Sequence, residues 1–122
     1  MADMITILGN LPRKSNSRRI FRNRQTGNPI LVKSADALQY ERDFIRQFPV
    51  ARRLNLSGPV VLTARIFYKS KLSDLSDELL CDLLQAVGMI KNDRQIVEKH
   101  LYRFDDKYNP RVEFKIETKG GD

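Results

Sequence analysis

The clearest pattern along the chain lies at positions 60–68, where every even-numbered position is apolar or aromatic and polar residues occur only at odd-numbered positions. A period of two is typical of a β-strand, because successive side chains in a strand point to opposite faces of its sheet. Shorter apolar stretches bounded by turn residues predict further strands over 4–8, 29–33, 96–104 and 111–118. Over 60–68 one face of the strand is expected to carry Val60, Leu62, Ala64, Ile66 and Tyr68, and the other face Val61, Thr63, Arg65 and Phe67.

Two other stretches show the three- and four-residue spacing of amphipathic helices. The first begins after Ser34, a good N-cap residue, and ends before Pro49. The second is predicted from about Asp77 to Val87, and Gly88 supplies the left-handed conformation that commonly ends a helix. The apolar face of the second helix consists of Leu79, Leu80, Leu83, Leu84 and Val87.

Residues 13–28, between the first two predicted strands, are polar and basic, and we predict a loop there. The resulting order is strand, loop, strand, helix, strand, helix, strand, strand. This order predicts an α+β fold in which two helices cover a mixed sheet of four to five strands. A chain of 122 residues is expected to form one domain over 1–122, with a basic loop at about 10–28 and a disordered tail at about 119–122.

The second predicted helix starts within an acidic stretch. The acids on or just before it are Asp74, Asp77, Glu78 and Asp82. The helix would be about 15 Å long, and the five residues after Gly88 would span about 17 Å if extended, so Asp93 can return to the helix start. Converging carboxylates repel one another, and a divalent cation such as Mg²⁺ would stabilise them. The alternative is a solvated helix start whose acids favour the macrodipole, and this stretch alone favours that alternative.

The chain has a formal net charge of +7, and the basic residues are concentrated near one end. No acidic residue lies between Asp3 and Asp36. The same interval contains Arg13, Lys14, Arg18, Arg19, Arg22, Arg24 and Lys33. Asn16 lies among these cations and adds an amide donor of the kind that contacts phosphate oxygens. This segregation of charge favours an anionic partner, of which nucleic acid is the usual one.

Other classes of protein fit the sequence poorly. There is no apolar run long enough to cross a bilayer and no signal-peptide pattern, so no membrane partner is expected. One cysteine, Cys81, excludes an internal disulfide framework, fits a reducing cytoplasm and is expected to be a structural thiol. With one histidine, His100, far from that cysteine in the pattern, serine-histidine or cysteine-histidine catalysis is not expected.

Two stretches carry a resemblance to a known family. The N-terminal LPRKSNSRRIFRN is similar to an opening strand followed by a Pro-x-Ser-Asn basic loop, and the second half combines an acidic cluster, DLLQAVG and NDRQI. Over nearly its whole length the chain resembles the RusA family of Holliday-junction resolvases, small phage and prophage endonucleases. That family has an Asp-Asp-x-Gln-Val pattern where this chain has NDRQI, and Asp93 matches its catalytic second Asp.

The family also carries Asp-x-Asp-Asn-x-x-Lys before its second helix, and two registers relate this pattern to the chain. Counting back without a gap places Asp74 on the second Asp, Leu72 on the first and Glu78 on the Lys. A two-residue shift places Asp74 on the first Asp, Ser76 on the second and Asp77 on the Asn. We prefer the ungapped register, because a deletion inside the helix would rotate its apolar face.

The resemblance implies metal-dependent phosphodiester hydrolysis with one or two Mg²⁺ or Mn²⁺ ions. Asp74 and Asp93 are the expected direct ligands, Asp77 or Glu78 the third acid, and Asp82 a weaker candidate. The residues expected to hold the DNA backbone are Arg13, Lys14, Asn16, Arg18, Arg19, Arg22, Arg24, Lys69 and Lys71.

The resemblance further implies a RusA-like fold, a four-way DNA junction as the substrate and a homodimer, because two symmetric nicks need two symmetric sites. The expected location is the cytoplasm of a bacterial or phage-infected cell. The competing hypothesis is a non-catalytic protein of the same fold that binds junctions or other nucleic acid.

Overall fold

A computed structural model describes residues 4–12, 18–22, 29–71 and 75–119. Residues 18–22 and 29–33 are described by their backbone. The predicted positions Arg13, Lys14, Asn16, Arg24 and Asp74 therefore lie outside the described residues.

The main sheet has four strands, and the strand predicted over 60–68 is an interior strand of it. Its strands are β1 (Ile5–Leu8), β4 (Val60–Tyr68), β5 (Ile96–Asp105) and β6 (Arg111–Thr118), in the order β1-β6-β4-β5. Strand β4 pairs parallel with β5 and antiparallel with β6, and β6 pairs antiparallel with β1. The mixed sheet of an α+β fold is therefore confirmed.

The last two strands, β5 and β6, follow each other in sequence but do not lie side by side. Strand β4 separates them, since it pairs with β5 on one edge and β6 on the other. The connection from β4 to its parallel neighbour β5 contains helix α2 (Glu78–Ala86), as a parallel crossover requires. This crossover positions the acidic start of α2 against the face of the sheet.

The predicted basic loop contains a strand, so the loop prediction is wrong over residues 18–22. Strand β2 (Arg18–Arg22) pairs antiparallel with β3 (Pro29–Lys33) in a separate two-stranded sheet. The sequence of β2, Arg-Arg-Ile-Phe-Arg, has no clear alternation, and pairing with β3 supplies the backbone hydrogen bonds that stabilise it. Strand β3 itself is confirmed over 29–33.

Both predicted helices are confirmed, and they pack on one face of the main sheet. Helix α1 (Ala35–Gln47) is capped by the Ser34 side chain, whose Oγ accepts a hydrogen bond from the N–H of Ala37 at 3.2 Å. Phe44 of α1 stacks on Phe114 of β6, with ring centroids 6.0 Å apart. The buried residues of α2 are Leu79, Leu80, Cys81, Leu83 and Leu84.

The two faces of β4 differ as the alternation predicts. Val60, Leu62, Ala64, Ile66 and Tyr68 are all buried beneath the helices, with exposed fractions of 0–1%.

Neither helix among the described residues is long and apolar enough to cross a membrane.

The ends of two predicted segments are also defined. Gly88 has a φ of 79°, the left-handed conformation expected after α2. The N–H of Lys119 donates to the carbonyl of Pro59 at 2.9 Å, so residue 119 belongs to the fold. The rest of the predicted tail, 120–122, lies outside the described residues.

Candidate functional site

The start of α2 carries a carboxylate with two donors on one oxygen. Asp77 occupies the N-cap position, but its side chain makes no capping hydrogen bond. Its Oδ2 instead lies 2.9 Å from Nζ of Lys99 and accepts a hydrogen bond from Sγ of Cys81 at 3.3 Å. The Asp77 side chain is 17% exposed, so the carboxylate is held in a partly desolvated position.

The pKa shifts of both partners favour the ion pair between Asp77 and Lys99. Burial raises the pKa of Asp77, but hydrogen bonds from Lys99 and Cys81 outweigh burial and leave the pKa below its usual value. The hydrogen bond to Asp77 raises the pKa of Lys99. Both groups are therefore charged at neutral pH. Burial, with Asp77 nearby, raises the pKa of the Cys81 thiol to about 12, which fits the structural role expected for it.

Lys99 is a site residue that the sequence pattern did not identify. It pairs with Leu62 across the parallel β4–β5 ladder, so it emerges on the sheet face that α2 covers. Strand β5 lies at the edge of the sheet, where the Lys99 side chain is 44% exposed and reaches the start of α2. Lys99, Leu101 and Arg103 lie at alternate positions and therefore share this face. Polar and apolar residues are mixed along β5, however, so the sequence shows no clear alternation there.

Asp93 is presented by a short 3-10 turn, Asp93–Gln95, that directly precedes β5. The Asn92 side chain caps this turn by accepting from the N–H of Arg94 at 2.8 Å. The N–H of Asp93 donates to Oε1 of Gln85 on α2 at 3.2 Å. The turn is therefore attached to the same helix whose start carries Asp77.

Gln95 fixes the turn from its other end. Its Oε1 accepts from the N–H groups of Lys91 and Asn92, both at 2.8 Å. Its Nε2 donates to the carbonyls of Leu56 and Gly58 at 2.8 and 2.9 Å. Asn92 and Gln95 of the NDRQI motif thus have a structural role. Asp93 is the one acidic residue of the motif.

Asp93 has a minor electrostatic effect on Lys99 and Cys81. The pKa of Lys99 is raised mainly by its hydrogen bond to Asp77 and that of Cys81 mainly by burial, and the charge of Asp93 adds least to each. Asp77 contacts the same two residues directly. The hydrogen bond to Gln85 attaches Asp93 to α2 two turns along the helix from Asp77, and its effect on Lys99 and Cys81 is smaller than that of Asp77.

The other predicted acids are placed as follows. Glu78 is the first residue of α2 and Asp82 follows one turn later, and both are half-buried. Within the part of the chain that the structure describes, no three His, Cys, Asp or Glu side chains are grouped so that they could hold a metal. A site with three carboxylates would therefore need Asp74, which lies outside that part.

The chain on either side of residues 72–74 is attached to the main sheet. Arg103 of β5 donates to the carbonyls of Ser70 and Lys71 at 3.2 and 2.8 Å. The Tyr68 hydroxyl accepts from the N–H of Ser76 at 3.1 Å. These contacts fix the flanking residues beside β4 and β5.

Of the predicted phosphate contacts, Lys69 and Lys71 are exposed residues that follow β4. Arg18, Arg19 and Arg22 lie on β2, which places the centre of the basic segment on a strand.

No protein-family model matches the chain, and a search of curated proteins finds no match.

Proposed function

We propose that this protein is a metal-dependent, structure-selective DNA endonuclease of the RusA type, which resolves four-way junctions as a homodimer in the cytoplasm. The observation that supports the proposal most is that α2 positions two acids, Asp77 at its start and Asp93 through the hydrogen bond to Gln85. The two acids come from separate segments, and each is held by contacts that the local sequence provides.

The donor atoms at this position suit Mg²⁺ or Mn²⁺, which prefer carboxylate oxygens. Asp77 already holds a cation, the ammonium of Lys99, at hydrogen-bond distance. Asp93 would be one direct ligand and Asp74 the other, with Asp77 or Glu78 as the third acid. Asp82, one turn further along α2, would support the site from outside it.

A divalent ion, when bound, would supply an activated water and stabilise the charge on the leaving oxygen of the phosphodiester. Asp93 and the acids at the start of α2 would hold it, and the turn at Asp93–Gln95, attached to Gln85, holds the Asp93 backbone beside α2. Exposed Lys69 and Lys71 would contact phosphates next to the cleaved bond, and the basic residues of the 13–24 segment would contact the backbone further along.

A homodimer would explain how one small domain makes two cuts. A four-way junction has two-fold symmetry, and a two-fold dimer presents one acidic site to each of two opposed strands. Recognition of the junction would rest on backbone shape, because the proposed contacts are to phosphates.

A second candidate is a non-catalytic junction-binding protein of the same fold. It is favoured by the ion pair of Asp77 with Lys99, which satisfies one oxygen without a metal. It is also favoured by the lack of a three-ligand group among the described residues.

Cleavage of a supercoiled plasmid that extrudes a cruciform would test the proposal. Paired nicks within one bound complex give linear DNA, whereas a single nick releases the supercoiling, reabsorbs the cruciform and gives an open circle. We expect linear product with Mg²⁺ or Mn²⁺ and none with EDTA, with a plasmid lacking the inverted repeat as the control. Tight junction binding without cleavage in any divalent metal would support the second candidate instead.

A further inference from the structure

Two segments that are distant in sequence are joined at the end of the main sheet where β4 and β5 begin. Residues 52–58 lead into β4 and residues 88–95 lead into β5, and the two strands start at the same end because they pair in parallel. The N–H of Leu56 donates to the carbonyl of Met89 at 2.9 Å, and the carbonyl of Leu56 accepts from Nε2 of Gln95 at 2.8 Å. The two segments therefore form one continuous surface, which we call the loop-pair surface.

The loop-pair surface is strongly basic. Its two segments contain four basic residues and a single acidic one, Asp93. Three of the cations, Arg53, Lys91 and Arg94, are exposed, and none of these three makes an ion pair with another residue that the structure describes. Asp93 lies between Lys91 and Arg94 in the sequence and is exposed as well. The positive charge of this surface is therefore available to a partner outside the domain.

The face of the main sheet that points away from the helices also carries cations, but neighbouring acids balance them. Arg65 pairs with Glu113 at 3.6 Å, and Lys115 pairs with Glu117 at 3.4 Å. Arg111 pairs with Glu113 at 3.0 Å. A face whose charges are paired in this way attracts a polyanion weakly, whereas an excess of unpaired cations attracts one strongly.

The backbone that carries Lys91 and Arg94 is fixed by hydrogen bonds within the domain. The N–H of Lys91 donates to Oε1 of Gln95, and the N–H of Arg94 donates to Oδ1 of Asn92, both at 2.8 Å. These bonds use main-chain groups and leave the two cationic side chains exposed. Because the turn is already ordered, a ligand held by these side chains does not bear the cost of ordering the loop.

We infer that the loop-pair surface binds phosphates of the DNA backbone, with Lys91 and Arg94 holding the strand beside Asp93 and Arg53 contacting a further phosphate. A guanidinium donates to two phosphate oxygens at once, and a lysine ammonium binds phosphate as a point charge. The inference rests on the proposed function, because it takes branched DNA as the ligand. It assigns DNA contacts to a surface that is separate in sequence from the basic segment at 13–24 and requires no metal.

Junction binding in EDTA tests the inference, because binding is then measured without metal-dependent cleavage. The double variant Lys91→Gln/Arg94→Gln should bind a labelled four-way junction more weakly than wild type. The slope of log affinity against log salt should become shallower by about two, or about one for each phosphate contact that is lost. Adding Arg53→Gln should make the slope shallower by about one more.

A matched control separates this surface from the effect of net charge. The double variant Arg65→Gln/Lys115→Gln also removes one arginine and one lysine, but from the ion-paired face of the sheet, and should keep the wild-type slope. Exchanging the two cations, as Lys91→Arg/Arg94→Lys, keeps both charges and should also keep the slope. Urea denaturation should show a retained fold in every variant, since the hydrogen bonds at positions 91 and 94 come from the backbone.

The possible failures can be told apart. If wild type binds junctions and Lys91→Gln/Arg94→Gln has the same salt slope, the inference is wrong while the proposed nuclease is unaffected. An equal change of slope in the control variant would also overturn the inference, because net charge alone would explain both results. If wild type binds neither junction nor duplex DNA, in EDTA or with Ca²⁺, the inference and the proposed function are both overturned, and an acidic protein becomes the class of partner that fits this surface.

Discussion

Oε1 of Gln85 accepts a hydrogen bond from the backbone N–H of Asp93 at 3.2 Å, and this contact attaches the turn before β5 to helix α2. Gln85 lies two turns after Asp77 on the same helix. Asp77 and Asp93 are therefore both positioned by α2, although they lie sixteen positions apart in the sequence.

Replacing Gln85 by alanine should lower cleavage more than it lowers stability. Alanine favours the helix, so the cost should be the hydrogen bond alone, about 1 kcal/mol of the free energy of unfolding. The turn would lose its link to α2, and Asp93 would be less well positioned. Junction cleavage and urea denaturation would be measured beside Gln39→Ala, a glutamine on the exposed side of α1. Wild-type cleavage by Gln85→Ala would show that this link does not position Asp93.

Gln95→Ala should destabilise the fold, because four hydrogen bonds at the turn are lost together. A decrease of about 1–3 kcal/mol in the free energy of unfolding is expected. Gln95→Glu keeps the acceptor but places a carboxylate against the carbonyls of Leu56 and Gly58, so it should be destabilised as well. A urea midpoint for Gln95→Ala equal to that of wild type would contradict the structural role of this side chain.

Cys81 should react very slowly with thiol reagents while the protein is folded. Its pKa of about 12 lies roughly three units above that of a free cysteine, so the thiolate population at pH 8 should be lower by about a thousandfold. The absorbance change with a disulfide reagent would be followed with and without guanidinium chloride. Equal rates in the two conditions would show that the thiol is neither buried nor held by Asp77.

Asp106 should contribute to stability at neutral pH and lose that contribution in acid. Hydrogen bonds from the backbone N–H of Asn109 and from Arg111 lower its pKa in the folded state. The unfolded carboxylate takes up a proton at about pH 3.9, and the folded one only at lower pH. The stabilisation is therefore complete above the unfolded pKa and disappears as the pH falls through the folded pKa.

The corresponding variant is Asp106→Asn, compared with wild type by urea denaturation between pH 7 and pH 2.5. The difference in the free energy of unfolding should be largest at neutral pH and should shrink in acid. A difference that does not change with pH would contradict the assigned hydrogen bonds.

The elements with a clear period could be predicted from the sequence. Strand β4 and helix α2 each bury a complete apolar face, so alternation in one and three- to four-residue spacing in the other indicated them correctly. Strand β2 could not be predicted, because its pairing with β3 and not its own polarity makes it a strand. The position of β4 between β5 and β6 also depends on long-range pairing.

The acids of the site were easier to predict than their partner. Asp77 and Asp93 stand out in the sequence because they flank a helix with a clear apolar face. Lys99 lies on an edge strand, where exposed and half-buried residues are mixed, and its contact with Asp77 depends on how α2 crosses the sheet. Such a contact between distant segments leaves no local pattern.

Cleavage of a labelled four-way junction by Asp93→Asn tests the central claim most directly. Asparagine keeps the size of the side chain and its backbone hydrogen bond to Gln85, so the fold and junction binding should be retained. Loss of an outer-shell partner of a metal typically lowers activity by about 10- to 100-fold. The rate of cleavage with Mg²⁺ or Mn²⁺ should fall by more than this in Asp93→Asn. Asp43→Asn, on the exposed surface of α1, should cleave like wild type. If Asp93→Asn cleaves as fast as wild type, this acidic site is not the centre of a nuclease.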